Sequence, residues 1–441
     1  MSDKLRIEFD WLDREFGSAI DRAFFAGIGL AIGDKYLTRV DDLGAKTVRN
    51  HMRGSVCHLA TWFADNWWRL RWEPAPPHWT KDADWRLAHS TAAAGGGYVW
   101  PNAVFASDGD YLEVAASPTT NGVAFEPIRY INHVHARITA VEFEQRVDEF
   151  MESVLSRLQS LGLQDECLPA LWAEVLAERH DPKAYQRRKM EAMAGFDADA
   201  APDELLKQLL EDEEELGKSA LAEVAAEARH ATGETLKVIR DLGRSRTKPK
   251  PGGFRAFMPT LPVPLSLKEN GDRPWQTAAK LARLAREQWG FGRKPIGNRA
   301  LASLLGAKAS VFTDKSTVGT HMSLGLRTPK SGTLDIYLDR PIFTTRRFAV
   351  SRLLGDHLYF TNQERLLPAT RAKTSRQKFQ RSFAQEFLCP IDALLEKIQT
   401  ALPDEDDISE AAKYFQVSPL MIRTTLVNYG QLEREALTWA D

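Results

Sequence analysis

Arg352 and Asp356 stand four residues apart in a mostly apolar stretch, Arg346-Arg347-Phe348-Ala349-Val350-Ser351-Arg352-Leu353-Leu354-Gly355-Asp356-His357-Leu358-Tyr359-Phe360. At helical spacing both side chains leave the same face, the geometry with which a metalloprotease helix sets two histidines on one zinc ion. Here the pair is a cation and an anion, so the chemistry open to it is an ion pair rather than metal ligation. Downstream, Arg371, Lys373, Arg376, Lys378 and Arg381 crowd a loop and the start of a second helix. With Arg346 and Arg347 they describe a local positive patch that could meet nucleic acid or an acidic protein partner. A solvated helix face with internal ion pairs, Glu386 being one partner, is the competing reading.

Other reactive residue types carry less. His133 and His135 alternate along a strand and share a face, but no third ligand is near, so structural histidines are the better reading. His89-Ser90 would supply a base and a nucleophile, yet adjacency in sequence is not triad geometry. Gly95-Gly96-Gly97 lacks the Lys-Ser/Thr of a phosphate loop and reads as a loop or bulge. Cys57, Cys167 and Cys389 are odd in number and far apart, which suits reduced, buried thiols and offers no cysteine metal site. Trp62, Trp67, Trp68, Trp72, Trp79, Trp85 and Trp100, interleaved with Arg53, Arg69 and Arg71, could stack bases, but a core with arginine stems at its rim is the simpler account.

The elements that must position these groups follow from periodicity. Residues 1–162 read as an N-terminal α+β, Trp-rich domain: helical spacing through Asp10–Leu30 and Val48–Leu70, then strand-like runs at Tyr98–Phe105, Tyr111–Ala116 and Ile128–Ile138, with Asp108-Gly109 as a hairpin turn. Thr139 opens a closing helix with Glu142 completing a capping box. Residues 163–242 form a helical middle segment broken near 195–202, and its acidic run Glu211–Glu215 reads as a solvated face. The basic, Pro- and Gly-rich stretch 243–253 is a linker. Residues 254–403 hold helices at Trp275–Trp289, Asn298–Leu305, Arg346–Phe360 and Thr374–Leu388, with strands at Ser310–Thr313 and Leu334–Leu338. Residues 404–441 have helix-turn-helix punctuation: Ile408–Phe415, a turn at Gln416-Val417, and a Ser418-capped helix with Arg423 and Asn428 as outward groups able to touch DNA.

Length and composition bound the rest. A chain of 441 residues suggests about three domains, each large enough for a core, and the formal charge of -2 excludes a chain-wide field for nucleic acid or membrane. The opening residues carry no leader pattern and the longest apolar run, 23–33, is about half a membrane span, so a cytoplasmic protein with no membrane contact is expected.

Three segments together resemble the ImmA/IrrE family of metallopeptidases. Arg346-Arg347-Phe348, Leu354-Gly355, and Phe383-Ala384-Gln385-Glu386-Phe387-Leu388-Cys389-Pro390 are similar to that family's R-R-F-x-x-A-H-E-L-G-H helix and its second helix E-x-N-x-F-A-x-x-L-L-x-P. The tail around Ala411–Pro419 resembles its C-terminal part, and the likeness spans roughly residues 255–435. In that family two histidines and a second-helix acid hold zinc while the motif Glu activates water. By the resemblance those positions fall at Arg352, Asp356, Phe379 and, for the Glu, Leu353. All four are changed, and no catalytic residue is expected: arginine offers no lone pair, leucine takes no proton and phenylalanine coordinates nothing. A rearranged zinc site would have to recruit Asp356, His357 and Glu386, with His321 as a further donor.

The expectation is therefore an α+β, multidomain chain whose mostly helical C-terminal half contains a zincin-like, ImmA/IrrE-like domain without its metal. No cofactor is expected, and an Arg352–Asp356 ion pair should knit the two helices where zinc would sit. The resemblance implies a bacterial-type regulator or sensor in transcriptional, stress or phage-defence control, acting through a protein partner or, second, through DNA contacts by the basic set and Arg423. The alternative is an active zinc endopeptidase that cleaves a repressor-type protein.

Overall fold

The chain is described here as a computed structural model, which covers residues 4–119, 127–163, 167–227, 232–244, 249, 252–264, 267, 273–328, 332–360, 364–400, 402–433 and 437. It mixes helices with several small antiparallel sheets and divides into two compact units, Met1–Leu206 with Ala372–Thr374, and Lys207–Arg371 with Ser375–Asp441. The division falls inside the stretch read as a helical middle segment. Of the basic stretch 243–253, residues 245–248 and 250–251 lie outside the described residues, and Gly253 already opens a strand. Among the described residues no helix is long and apolar enough to cross a membrane.

In the first unit Leu5–Trp11 pairs antiparallel with Phe25–Ile32, which also pairs with Met52–Ser55 and Lys35–Tyr36. The helical spacing over Asp10–Leu30 is thus corrected to strand, short helix Ala19–Ala23, strand. Phe25–Ile32 is buried along nearly its whole length, and such a continuous apolar run does not reveal its period. A Cβ on Gly29 would lie 2.6 Å from the His51 ring, which would have to shift to admit it. Val48–Leu70 likewise holds strands Thr47–Arg49 and Met52–Ser55 before the helices Val56–Asp65 and Trp67–Trp72.

The Asp108-Gly109 hairpin joins Ala103–Ser107 to Tyr111–Ala116, with Gly109 at φ +100°, and Val134–Thr139 completes that sheet. The single run expected over Ile128–Ile138 is two strands in different sheets, since Ile128–Tyr130 pairs with Val40–Asp42. The closing helix is Ala140–Ser160, and Thr139 Oγ1 accepts from the Glu142 N–H at 3.1 Å. Trp62, Trp67, Trp68, Trp85 and Trp100 are buried in this unit, as a core reading requires.

The second unit carries a four-stranded antiparallel sheet in the order Gly253–Phe257, Thr333–Tyr337, Ser323–Arg327, Leu366–Ala369. Ser310–Thr313 is a 3-10 turn at Ala309–Phe312, not a strand. Leu366–Ala369 forms a strand despite Pro368, since the sheet edge is where proline is tolerated. Helices Pro274–Gln288, Asn298–Leu304, Phe343–Tyr359 and Ser375–Leu388 cover this unit's core. The tail helices Glu405–Phe415 and Pro419–Asn428 feed Ile408, Phe415, Ile422 and Leu426 into that same core.

Candidate functional site

The helices Phe343–Tyr359 and Ser375–Leu388 bury their facing sides against each other. At Gly355 a Cβ would come within 2.5 Å of the buried Phe383 ring, so glycine makes room there for the second helix's side chain. Side chains one turn either side of Gly355 therefore face the second helix.

Asp356 is fully buried and takes both of its hydrogen bonds from one guanidinium, but the donor is Arg376. Arg376 Nε donates to Oδ1 at 2.9 Å and Nη2 to Oδ2 at 2.7 Å. The expected Arg352–Asp356 pair is corrected: four-residue spacing on one helix put the two groups on one face, but the planar fork of an arginine on the facing helix fits both carboxylate oxygens at once. Burial works against the charge of Arg376, yet Asp356 and Glu364 outweigh it and hold its pKa above the ordinary value. Arg376 Nη1 reaches Glu364 Oε2 at 2.8 Å and Ser219 Oγ at 3.1 Å. The other Glu364 oxygen accepts from the Ser219 N–H at 2.8 Å, at the start of the helix Lys218–Glu227. A carboxylate suits a helix N-terminus, where amide hydrogens lack partners.

Arg352 points elsewhere. Its Nη2 donates to the Thr370 carbonyl at 2.6 Å and to Gln377 Oε1, while its buried Nε has no partner. Burial, with Arg381 alongside, pushes its pKa down to about 9, which leaves it charged at pH 7. Gln377 also accepts from the Thr370 N–H at 3.0 Å and donates to the Pro368 carbonyl at 3.1 Å. Leu353 lies in the core, and Phe379 stacks near Tyr359 and Phe360, with ring centres 4.5 and 5.4 Å away.

The residues of a rearranged zinc site are not brought together. Asp356 is occupied by Arg376. His357 Nδ1 faces Arg327 Nη1 at 2.6 Å, and burial followed by the Arg327 charge lowers its pKa to about 4. Glu386 binds Arg283 at 2.7 Å and accepts from the Tyr429 hydroxyl at 3.2 Å, so it answers Arg283 rather than the basic set. Among the described residues no three His, Cys, Asp or Glu side chains converge as a metal site. A zinc ion does not fit this donor set: the one carboxylate in place is already neutralised, and two guanidinia stand beside it.

The expected basic patch is mostly interior. Arg346 is buried and donates to the carbonyls of Val311, Ser316 and Arg340; Arg347 is buried and reaches those of Gln416 and Ile296 and the Asn298 side chain. Arg376 is spent on Asp356. Arg371 is exposed but bonded to Glu227 at 2.8 Å, Lys373 is exposed, and Lys378 and Arg381 are half-buried. In the tail, Arg423 is buried against Glu405 rather than outward, although Asn428 is exposed. The tail forms two helices, Glu405–Phe415 and Pro419–Asn428, joined at a turn with Gln416 at φ +56° and Ser418 Oγ accepting from the Met421 N–H. Four acids, Asp404 to Asp407, crowd its first turn.

Elsewhere, His133 and His135 are both exposed rather than structural, and Cys167 is exposed where a buried thiol was expected. His89 is buried, stacked on Trp85 and held between the Phe105 carbonyl at 2.8 Å and Glu73 at 3.0 Å. Ser90 turns away to Asn102. Sequence reasoning missed Glu364 and Ser219, which join the network from more than 140 residues apart with no local signal. No protein family, curated protein or solved structure matches the chain.

Proposed function

We propose that this chain is an ImmA/IrrE-like protein that has exchanged its zinc centre for a buried guanidinium–carboxylate network, and that it regulates or senses by binding a protein partner rather than by cutting one. The setting the resemblance suggests is transcriptional, stress or phage-defence control. The observation that carries the reading is the two-oxygen Asp356–Arg376 bond at a position where the family keeps a zinc ligand. A protein partner is preferred to DNA because Arg346, Arg347, Arg376 and Arg423 are committed internally and the tail's first turn is acidic.

The test is a melting series with metal analysis. The purified protein should hold no stoichiometric zinc, and a chelator should leave its Tm unchanged. Asp356→Ala should lose about 3–5 kcal/mol of stability, because Arg376 is left as an unanswered buried charge. Stoichiometric zinc whose removal lowers the Tm, together with cleavage of a repressor-type protein, would overturn the proposal.

A further inference from the structure

In the first unit the strand Leu5–Trp11 lies at the edge of its sheet. Lys4 accepts from the Gly33 N–H and Leu12 donates to the Phe25 carbonyl, each at 2.9 Å, so the even-numbered residues exchange hydrogen bonds with Phe25–Ile32. In an antiparallel ladder the backbone groups of the alternate residues Leu5, Ile7 and Phe9 then point to the other edge. Among the described residues no strand pairs with that edge. A groove of about 380 Å³ runs beside it, lined by Leu5, Ile7, Phe9, Arg146, Phe150 and Ser153. Proteins normally blunt such an edge with charges that repel a second strand.

The charges here do the opposite. Lys4-Leu5-Arg6-Ile7-Glu8-Phe9-Asp10 reverses sign about its centre. We propose that two copies of this chain pair antiparallel along this edge, about a two-fold axis at Ile7, through the sign-reversing strand Lys4–Asp10. In that register Ile7 faces the partner's Ile7, Leu5 the partner's Phe9, Arg6 the partner's Glu8 and Lys4 the partner's Asp10. The odd residues, whose N–H and C=O groups are free, meet one another and form six hydrogen bonds. The even residues meet at the closer, non-hydrogen-bonded positions, where opposite charges attract. Shifting the register by two residues puts Glu8 on the partner's Glu8 or Arg6 on the partner's Arg6, so charge selects one alignment. The incoming Leu5, Ile7 and Phe9 fall on the groove side, where Phe150 already meets Phe9 at 6.1 Å. The interface is self-complementary, as a two-fold contact requires.

Sedimentation of the full chain over a concentration series tests this. A dimer is expected for the native sequence. Glu8→Arg places two arginines opposite each other at both symmetry-related sites and should weaken the dimer by about tenfold or more. The double swap Arg6→Glu with Glu8→Arg restores both cross-strand pairs, and the Arg6–Glu8 contact of 3.2 Å within the chain, so it should restore the dimer. Circular dichroism melting of each variant separates lost pairing from lost folding. In a Cys167→Ala background, oxidised Ile7→Cys should crosslink to itself while Phe9→Cys should not. A monomer at every concentration, a dimer indifferent to Glu8→Arg, or a double swap that folds but stays monomeric overturns the proposal.

Discussion

His357 follows Asp356 directly and accepts a hydrogen bond from Arg327 Nη1 on its Nδ1. Its folded pKa of about 4 lies below the roughly 6.5 of an unfolded histidine. Between those values the unfolded chain holds a proton that the folded chain does not, so stability is complete above about pH 6.5 and falls as pH drops toward 4. The ring is partly exposed, so solvent screening leaves the loss at about 1–2 kcal/mol. Unfolding free energies from urea titrations at pH 7 and pH 5 should differ by that much more in the native protein than in His357→Gln, in which the titration is gone. Equal differences in the two proteins would remove His357 from the acid response. The residues themselves were legible in the sequence, but their partners were not. Spacing of four put Arg352 and Asp356 on one face, yet which arginine answers the carboxylate depends on the second helix, and Glu364 enters from a segment with no pattern of its own.

Helices were read better than strands. Phe343–Tyr359 and Ser375–Leu388 announce themselves by apolar residues at helical spacing, and Ala140–Ser160 by that spacing together with its Thr139 cap. Strands of four or five residues, such as Gly253–Phe257 and Leu366–Ala369, are too short to show a period, and their pairing is set by distant sequence. The Leu354-Gly355 pair was noticed only as part of a resemblance, whereas its physical role is to admit Phe383. Gly355→Ala should therefore destabilise the second unit by about 2 kcal/mol, against the gain that alanine brings to an open helix. A chemical denaturation series comparing it with an alanine at an exposed helical site measures this, and an unchanged midpoint would mean the helices can separate freely at that point.

The tail looked like a separate segment because its punctuation is self-contained. In the folded chain it closes the same core as the Phe343–Tyr359 helix, and Arg347 reaches into its turn to the Gln416 carbonyl at 3.1 Å. A chain ending at 403 removes Ile408, Phe415, Ile422 and Leu426 from this core and leaves Arg347 one acceptor short. Its second unit should lose cooperative unfolding and aggregate, while hydrogen exchange within 1–206 stays as in the full chain. A tail that can be removed with no change in the melting of 207–403 would make it an appendage after all.

The bond between Asp356 and Arg376 also constrains how this sequence can change. A histidine at 356 would strand Arg376, and a neutral residue at 376 would strand Asp356, with Glu364 losing its cation in the same step. Each single replacement is penalised by what the others have become, so the two positions are entrenched. Descendants of this chain are free to lose the network as a whole, but not to exchange it one residue at a time.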